Sequence, residues 1–315
     1  MEKYHIVLSI DDKTGEYSKF AGITITSIFE NTSCNVCIHL FHSNNLSEKN
    51  KNNFNKICKK YNQEIQYHKM EVSLKIKNMK MIKEGFLSEG ALYRLNIIEE
   101  LKNLNKVLYL DCDIVINDDI KKIFNIDIKN FCLGAVHDIG IDKNYKFYKK
   151  NMPCFNTKEY FNSGVIIFNL DKIRKLNIDL LREAISFFEK YPKDPFTDQS
   201  ALNYIFKNNI LLIDNIYNMF PKRNSKIEDA MIWHFAGANK PWKTRFSEVD
   251  KLFWKYYRLS PWGEDIDALL NMYSKVVDSL DYALLYYPSG PKRQFFKNVF
   301  IRIYREIKEI KKNYL

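Results

Sequence analysis

Asp111 and Asp113 stand one residue apart at the close of an apolar run, in "KVLYLDCDIVINDDI" (106–120). On a strand, residues two apart point the same way, so the two carboxylates share a face. An ionised carboxylate taken out of water without a partner costs several kcal/mol or shifts its pKa to stay neutral, and two side by side repel. Water or a cation must therefore be present. Carboxylate oxygens aimed into one crevice form a hard donor set for Mn2+, or for Mg2+. Taken alone, the same D-x-D spacing also fits a solvated turn at a strand end.

A second stretch, "WHFAGANKPW" (233–242), puts His234 at the end of a short apolar run, Gly237 after it and Lys240 before Pro-Trp. His234 offers a nitrogen ligand to the same ion, and Mn2+ accepts mixed oxygen and nitrogen donors more readily than Mg2+ does. Lys240 offers positive charge to a phosphate oxygen. The chain has ten glycines, no Walker A motif and no G-x-G-x-x-G, so it lacks a glycine-rich phosphate cradle. A diphosphate held here needs a cation and a lysine instead.

The elements that must position these groups alternate along the chain. Strands are expected at "HIVLSI" (5–10), "VCIHLF" (36–41), "EIQYHKM" (64–70), "KVLYLDCDI", "FCLGAVHD" (131–138), "YFNSGVIIFNL" (160–170), "NILLID" (209–214) and "MIWHFA" (231–236). Helices are expected over 17–31, with Phe20, Ile23, Thr24 and Ser27 near one face, and from a Ser47 cap through Tyr61. Further helices are expected from Ser88 to about Leu101, near 119–124, from Asp171 to Tyr191 and over 197–207. Such alternation predicts an α/β fold: a Rossmann-like, mostly parallel sheet with helices on both faces, binding ligands at the carboxyl ends of its strands.

The regular pattern spans residues 1–245, and a helical C-terminal region is expected over 246–315. In its last segment Phe296, Val299, Phe300, Ile303, Ile307 and Ile310 recur at helical spacing among lysines and arginines. A basic amphipathic helix of this kind suits an anionic bilayer surface, and it also suits a helix docked on its own domain.

Composition narrows the classes. The 315 residues, 46% hydrophobic and 15% aromatic, suffice for one large α/β domain with additions or for two smaller ones. A net charge of +11 fits phosphate-bearing ligands, nucleic acid or an anionic membrane. No nucleic-acid-binding motif is present and the positive charge gathers in the tail, which argues against nucleic acid. No apolar run reaches the ~18 residues of a membrane span, and no signal peptide is visible at the N-terminus. A cytoplasmic location, with peripheral attachment to the inner face of the plasma membrane, is expected. Cys34, Cys37, Cys58, Cys112, Cys132 and Cys154 read mostly as reduced core thiols. Cys34 and Cys37 form a C-x-x-C, but no second ligand pair accompanies it and Cys37 falls inside a strand pattern, so no zinc or redox site is expected there.

Seven motifs in order, "VLSIDD", "LYRL", "VLYLDCDIVI", "LGAVHD", "FNSGVIIFNL", "TDQSALN" and "HFAGANKPW", make the chain resemble glycosyltransferase family 8 over roughly residues 5–245. That family includes bacterial lipopolysaccharide galactosyl- and glucosyltransferases and glycogenin. The resemblance implies a GT-A fold that binds a UDP-sugar with Mn2+ and transfers the hexose with retention. It implies Asp111, Asp113 and His234 as metal ligands, and Ser9 and Asp11 near the uracil. Arg94, Asp138, Asn162, Asp198 and Gln199 would line the donor-sugar pocket, and Lys240, with Gly237 nearby, would contact the diphosphate. Lys13 and Thr14 stand where the bacterial galactosyltransferases carry Asn and Tyr, and Phe86 where they carry a donor-contacting His. The sugar and the acceptor are therefore left open.

Read mechanistically, a divalent cation and Lys240 would stabilise departing UDP. Retaining glycosidases use two carboxyl groups about 5 Å apart. Gln199, an amide, is a poor nucleophile, which favours same-face substitution with Gln199 stabilising the oxocarbenium ion and Asp138 and Asp198 holding hydroxyls. Asp198 is the alternative nucleophile. The acceptor expected is a cell-surface glycan or a lipid-linked sugar. Rival readings are a non-catalytic, membrane-associated nucleotide-sugar-binding protein, an enzyme that only hydrolyses UDP-sugar, and a self-glucosylating enzyme similar to glycogenin.

Overall fold

Four strands begin the sheet, three of them largely buried and one, at the edge, polar and partly exposed. β1 (Lys3–Ile10), β2 (Asn35–His42), β3 (Glu64–Lys69) and β4 (Lys106–Leu110) run parallel in the spatial order β3-β2-β1-β4. The chain winds one way from β1 to β3 and then returns to the other side of β1 with β4. That reversal opens a crevice between the carboxyl ends of β1 and β4, the place where open α/β sheets take ligands. The computed structural model describes residues 3–72, 89–141, 146, 148, 157–192, 194–237, 240–242, 247–263, 280 and 289–314, with the side chains of 306, 307 and 309–314 left aside. Phe86, Ser88, Cys154 and the side chains of Ile307 and Ile310 thus lie outside the described residues.

The sheet continues through β7 (Phe161–Asn169), β6 (Leu133–His137) and β8 (Ile210–Ile213). β7 runs antiparallel to both β4 and β6, while β8 lies parallel to β6. The sheet is mostly parallel, as expected, with one reversed strand. Its reversal brings the first residues of β7, not the last, to the crevice: Val165 pairs with Leu110, and the Asp111 amide donates to the Gly164 carbonyl at 2.8 Å. A separate two-stranded antiparallel ribbon joins β5 (Ile114–Ile116) to β9 (Ile232–His234) and pairs Ile114 with His234. The Phe235 amide closes it on the Asp113 carbonyl at 2.9 Å.

Helices cover both faces. α1 (Tyr17–Asn31) and α2 (Glu48–Tyr61) bury Ile25, Ile28, Phe54 and Ile57 against Ile6, Leu8, Ile38 and Leu108 on one side. Ser47 caps α2, its hydroxyl accepting from the Asn50 amide at 3.2 Å. On the other side Val7, Tyr109, Ile166 and Phe168 meet the later helices. The segment 88–101 holds α3 (Glu89–Tyr93), a 3-10 turn over Arg94–Asn96 and α4 (Ile97–Glu100) in place of one helix. After α5 (Lys121–Phe124), the single helix expected over 171–191 is two, α6 (Leu170–Lys175) and α7 (Leu180–Lys190). Asn177 enters the left-handed region at φ 53°, which Asn tolerates better than most residues, and Asp179 caps the second helix by accepting from the Arg182 amide at 3.1 Å. α8 (Thr197–Ile205) follows.

α1 also carries polar groups inward. The Thr24 hydroxyl lies 2.9 Å from the Cys112 carbonyl and 2.8 Å from that of Ile114, while Ser27 Oγ accepts from the Ile116 amide at 2.9 Å. These bonds fix the D-x-D turn against the helix. Beyond β9, α9 (Asp250–Leu259) packs on α1 through Phe253 and Tyr256, which share a cluster with Ile23, Val115, Trp233 and Phe235. The basic segment forms one helix, α10 (Gly290–Tyr314), in contact with α9. Phe296, Val299, Phe300 and Ile303 are half-buried there, so part of the apolar stripe is covered by the chain itself. Among the described residues no helix is long and apolar enough to cross a membrane.

Gly22 permits the closest approach in this layer, because a Cβ there would lie 2.2 Å from Trp262 in the turn after α9. Gly22→Ala is expected to cost about 1–3 kcal/mol by overpacking. A urea transition whose midpoint does not fall would remove Trp262 from its place on α1.

Candidate active site

The crevice between β1 and β4 holds a cavity of about 220 Å³ lined by Ser9, Asp11, Tyr17, Arg94, Asp111 and Asp113, among others. A larger hollow of about 670 Å³ lies at the opposite end of β4, against Lys106, Asp127 and Lys129. None of the residues expected to do chemistry lines it, so size is here a poor guide and the smaller cavity is the candidate. Ser9 Oγ is buried at the end of β1 without a hydrogen-bond partner, a polar atom left for a ligand. Asp11 accepts from Asn45 at 3.2 Å and pairs with Lys13 at 3.0 Å.

Three strand ends bring Asp111, Asp113 and His234 together, with one ligand atom of each within 4.8 Å of the others. His234 Nε2 is 3.2 Å from Asp113 Oδ1 and 3.8 Å from Asp111 Oδ2. The other ring nitrogen, Nδ1, lies 2.9 Å from Asn218 Oδ1. With the proton on Nδ1 donated to that amide, the Nε2 lone pair faces the two carboxylates, which is the tautomer a metal requires. Asn218 Nδ2 in turn donates to Asn162 Oδ1 at 2.9 Å, consistent with that orientation. A Cβ on Gly164 would sit 2.2 Å from His234 Cε1 and 2.9 Å from Asp111 Oδ2, so only glycine leaves the triad room.

Positive charge reaches both carboxylates. Arg94, buried, gives Nη2 to Asp111 Oδ1 at 3.0 Å and Nη1 to the Ser163 carbonyl at 2.7 Å, and lies 4.4 Å above the Tyr109 ring. Its Nε donates to the Ala91 carbonyl at 3.1 Å and stands 3.3 Å from Asp198 Oδ2, an ion contact without hydrogen-bond alignment. Burial alone would lower the guanidinium pKa, but Tyr109, Asp111 and Asp198 together raise it. Lys240 contacts Asp113 Oδ2 and donates to the Phe235 carbonyl at 2.6 Å. Burial would raise the Asp113 carboxyl, yet facing His234 and Lys240 hold it well below the usual carboxylate range. Gly237, exposed at φ 76°, lies in the bend between Phe235 and Lys240 and outside the triad.

The donors fit a divalent cation: two carboxylates and an imidazole lone pair converge, and a lysine ammonium already sits on one of them.

A second, buried network adjoins this one. Gln199 Oε1 accepts from the Ser163 amide at 3.0 Å and from Asn162 Nδ2 at 3.2 Å, while its Nε2 donates to Asp138 Oδ2 at 2.8 Å. Asn162 also donates to Asp138 at 3.1 Å, and the Gly140 amide donates to its other oxygen at 2.6 Å. Asp198 and Gln199 follow Thr197, which sits at φ 39°, a conformation β-branched residues rarely adopt. Asp194 maintains it, accepting from the Phe196 amide at 2.7 Å and the Thr197 amide at 3.2 Å. Burial raises the Asp198 carboxyl, offset in part by Arg94.

Eleven of the twelve expected residues thus occupy one region, with Ser9 and Asp11 at the β1 end, the triad with Lys240, Arg94 between Asp111 and Asp198, and the Asp138–Asn162–Gln199 network, while Gly237 stays in the exposed bend beside them. Asn218, Tyr109, Ser163 and Gly164 were not anticipated. Asn218 lies in "NIYNMFPKRN" (215–224), where no spacing distinguishes it. Gly164 and Ser163 act through backbone and close approach, which residue type alone does not announce.

The model of the family described as Glycosyl transferase family 8 matches residues 5–245. A lipopolysaccharide 1,2-glucosyltransferase of Escherichia coli is 25% identical over 96% of this chain and 90% of its own. The general stress protein A of Bacillus subtilis (strain 168) is 26% identical over 86% of this chain and 98% of its own. The solved galactosyltransferase LgtC, in complex with donor and acceptor sugar analogues, superposes with a TM-score of 0.68 at 21% identity, covering 82% of this chain and 96% of that one. That likeness carries the fold.

Arg94→Gln would leave two desolvated carboxylates facing each other, and removing one member of such a group costs about 3–5 kcal/mol. The Asp198 carboxyl, already raised, would rise further, so the folded variant binds more protons than the unfolded chain. Stability of the variant should therefore increase as pH falls through the folded pKa. Urea unfolding at about pH 7.5 and about pH 5.5 checks this; a deficit that widens on acidification would contradict the placement of Arg94.

Proposed function

The chain belongs to glycosyl transferase family 8, and from that premise we propose that it moves a hexose, galactose or glucose, from a UDP-sugar to a cell-surface glycan or lipid-linked acceptor with retention at the anomeric carbon. The observation that carries the reading is the convergence of Asp111, Asp113 and His234 beside Lys240 at the β1–β4 crevice. The Escherichia coli lipopolysaccharide 1,2-glucosyltransferase and LgtC with its sugar analogues support the donor and acceptor classes.

Asp111, Asp113 and His234 would hold Mn2+, which supplies positive charge to a departing diphosphate so that no carboxylic acid need protonate it. Lys240 adds charge to the same phosphates once released from Asp113. Ser9 Oγ and Asp11 take the nucleoside end. Arg94 anchors Asp111 and prevents it from turning away. Asp138 and Asn162 hold sugar hydroxyls.

Retention needs either a covalent nucleophile or departure and attack on one face. The Gln199 amide is held at both ends, by Ser163 and Asn162 on its oxygen and by Asp138 on its nitrogen, so its dipole is fixed before reaction. We assign it to stabilising the oxocarbenium ion in a same-face substitution, with a β-phosphate oxygen accepting the acceptor hydroxyl's proton. Asp198, paired with Arg94, is the candidate for a covalent route.

Two measurements test this reading. Asp113→Asn should abolish Mn2+-dependent UDP binding in a calorimetric titration, and unchanged affinity would refute the metal assignment. Gln199→Ala should lower turnover by about tenfold or more, in line with loss of one preorganised dipole, with donor KM little altered. Normal turnover would remove Gln199 from the mechanism.

A further inference from the structure

At the other end of β1 and β2, away from the crevice, a second cluster of ligating side chains is buried in the sheet. The parallel register pairs His5 with Cys37, and His39 lies two residues beyond Cys37 on the same face of β2. His5 Nδ1 is 2.9 Å from His39 Nε2, and one donor atom each of His5, Cys37 and His39 lies within 4.8 Å of the others. Cys37 is fully buried, His39 is buried and His5 is half-buried.

The cluster has an outer layer. His39 Nδ1 is 3.0 Å from His68 Nε2 on β3, and His68 Nδ1 is 3.7 Å from Glu100 Oε2. A proton on His68 Nδ1 toward the carboxylate leaves His68 Nε2 to accept from His39 Nδ1. His39 Nε2 then carries a lone pair, and it faces His5 and Cys37. Ligating imidazoles are oriented in this way, by a partner on the second ring nitrogen. Hydrogen bonding within the sheet explains the imidazoles alone but gives the Cys37 thiol only a long 4.0 Å contact to the Ile38 carbonyl.

We propose that His5, Cys37 and His39 form a second cation site, taking Zn2+ or a similarly borderline divalent ion through two imidazole nitrogens and a thiolate. The donor set separates it from the crevice: sulfur and nitrogen select Zn2+, whereas two carboxylates and one imidazole suit Mn2+. Bond lengths of about 2.0–2.3 Å in a tetrahedral Zn2+ site put neighbouring donors roughly 3.3–3.6 Å apart; here the two imidazole nitrogens stand at 2.9 Å and all three donors within 4.8 Å of one another. β3, an edge strand of the sheet, sets the exposed Glu64 and Gln66 beside Cys37 and His39, and water from that edge would complete the coordination. On binding, the Cys37 thiol proton passes to solvent, the His5 proton resides on Nε2, and the His5–His39 hydrogen bond is replaced by two bonds to the ion. The ion would clamp β1 to β2, behind the strand that ends in Ser9 and Asp11.

The C-x-x-C of Cys34 and Cys37 therefore names one true donor and one bystander. One partner of Cys37, His39, lies two residues on along β2, and the other, His5, comes from across the strand pair, where sequence spacing does not reach.

Co2+ tests the site, because a thiolate ligand gives a sulfur-to-cobalt charge-transfer band that an all-oxygen-and-nitrogen site cannot. Full-length, chelator-stripped protein titrated with Co2+ should develop this band, saturating at one equivalent, in the wild type, in Asp113→Asn and in Cys58→Ser. It should be absent in Cys37→Ser, and Zn2+ should bleach it; in the Asp113→Asn background, where the crevice donor set is incomplete, Zn2+ should raise the melting temperature with Cys37 in place and not with Cys37→Ser. No band in the wild type, or a band that survives Cys37→Ser, would overturn the proposal. Should Cys37→Ser fail to fold, as judged by circular dichroism, His5→Asn at the half-buried edge decides. Its Co2+ affinity should fall at least tenfold, and an undiminished affinity would count against the site. His68→Gln should weaken binding by about 10- to 100-fold through His39. Because the cobalt band reads metal binding at sulfur, its failure leaves the reading of the crevice untouched.

Discussion

Two carboxylates set side by side at a half-buried strand end repel each other, and the surrounding architecture is organised to hold them there. Asp111 is neutralised from beneath by Arg94, which is itself fixed by the carbonyls of Ala91 and Ser163 and by the face of Tyr109. Asp113 is neutralised from the rim by Lys240. The backbone between them is pinned by Thr24 and Ser27 of α1, so neither carboxylate relieves the repulsion by moving the turn. A fold that commits two buried hydroxyls and a buried arginine to the six residues 111–116 has little freedom to place them elsewhere.

The reversed strand β7 is what turns this turn into a site. Were it parallel to β4, its last residues would border the crevice. Running against β4, it presents Asn162, Ser163 and Gly164 at that end, where an amide, a carbonyl and a missing side chain each meet a different neighbour. Asn162 bridges Asp138 to Asn218, and Asn218 bridges to His234, so the metal triad and the Asp138–Gln199 network are joined by one chain of hydrogen bonds. A shift of the imidazole is felt at the amide of Gln199 through three buried contacts. On the proposed reading, ion and sugar subsites would be coupled through these contacts without a moving element.

Strand ends and their carboxylates were legible because the chemistry is local: an acid after four apolar residues is anomalous wherever it is found. The register of β5 on β9 was not written in either strand, yet His234 could still be chosen, since an imidazole beside a lysine at a strand end is itself unusual. Direction is different. The residues of β7 are apolar toward both faces, and an apolar strand reads the same in either sense. The break at Asn177 was hidden by helical periodicity continuing across it, although Asn at 177 and Asp at 179 are stop and start signals when read together. Asn218 and Gly164 act by filling or vacating space around other residues, and such roles have no signature until the neighbours are placed. Cys37 shows the same limit from the other side, for His5 reaches it only through the pairing of β1 with β2.

Lys240 links charge balance to chemistry. Its ammonium contacts Asp113, which makes the lysine the counter-ion that a divalent cation would replace. On the proposed reading, metal entry is then an exchange rather than an addition. The carboxylate trades one positive charge for two, and the displaced ammonium, tethered by the bend at Gly237 and close to the Phe235 carbonyl, is released within reach of whatever anion the metal brings. A diphosphate arriving with its cation supplies that anion. Metal and nucleotide would consequently bind with positive coupling, since each removes a cost the other would meet alone: bare metal leaves Lys240 unpaired beside it, and bare nucleotide finds Lys240 already engaged.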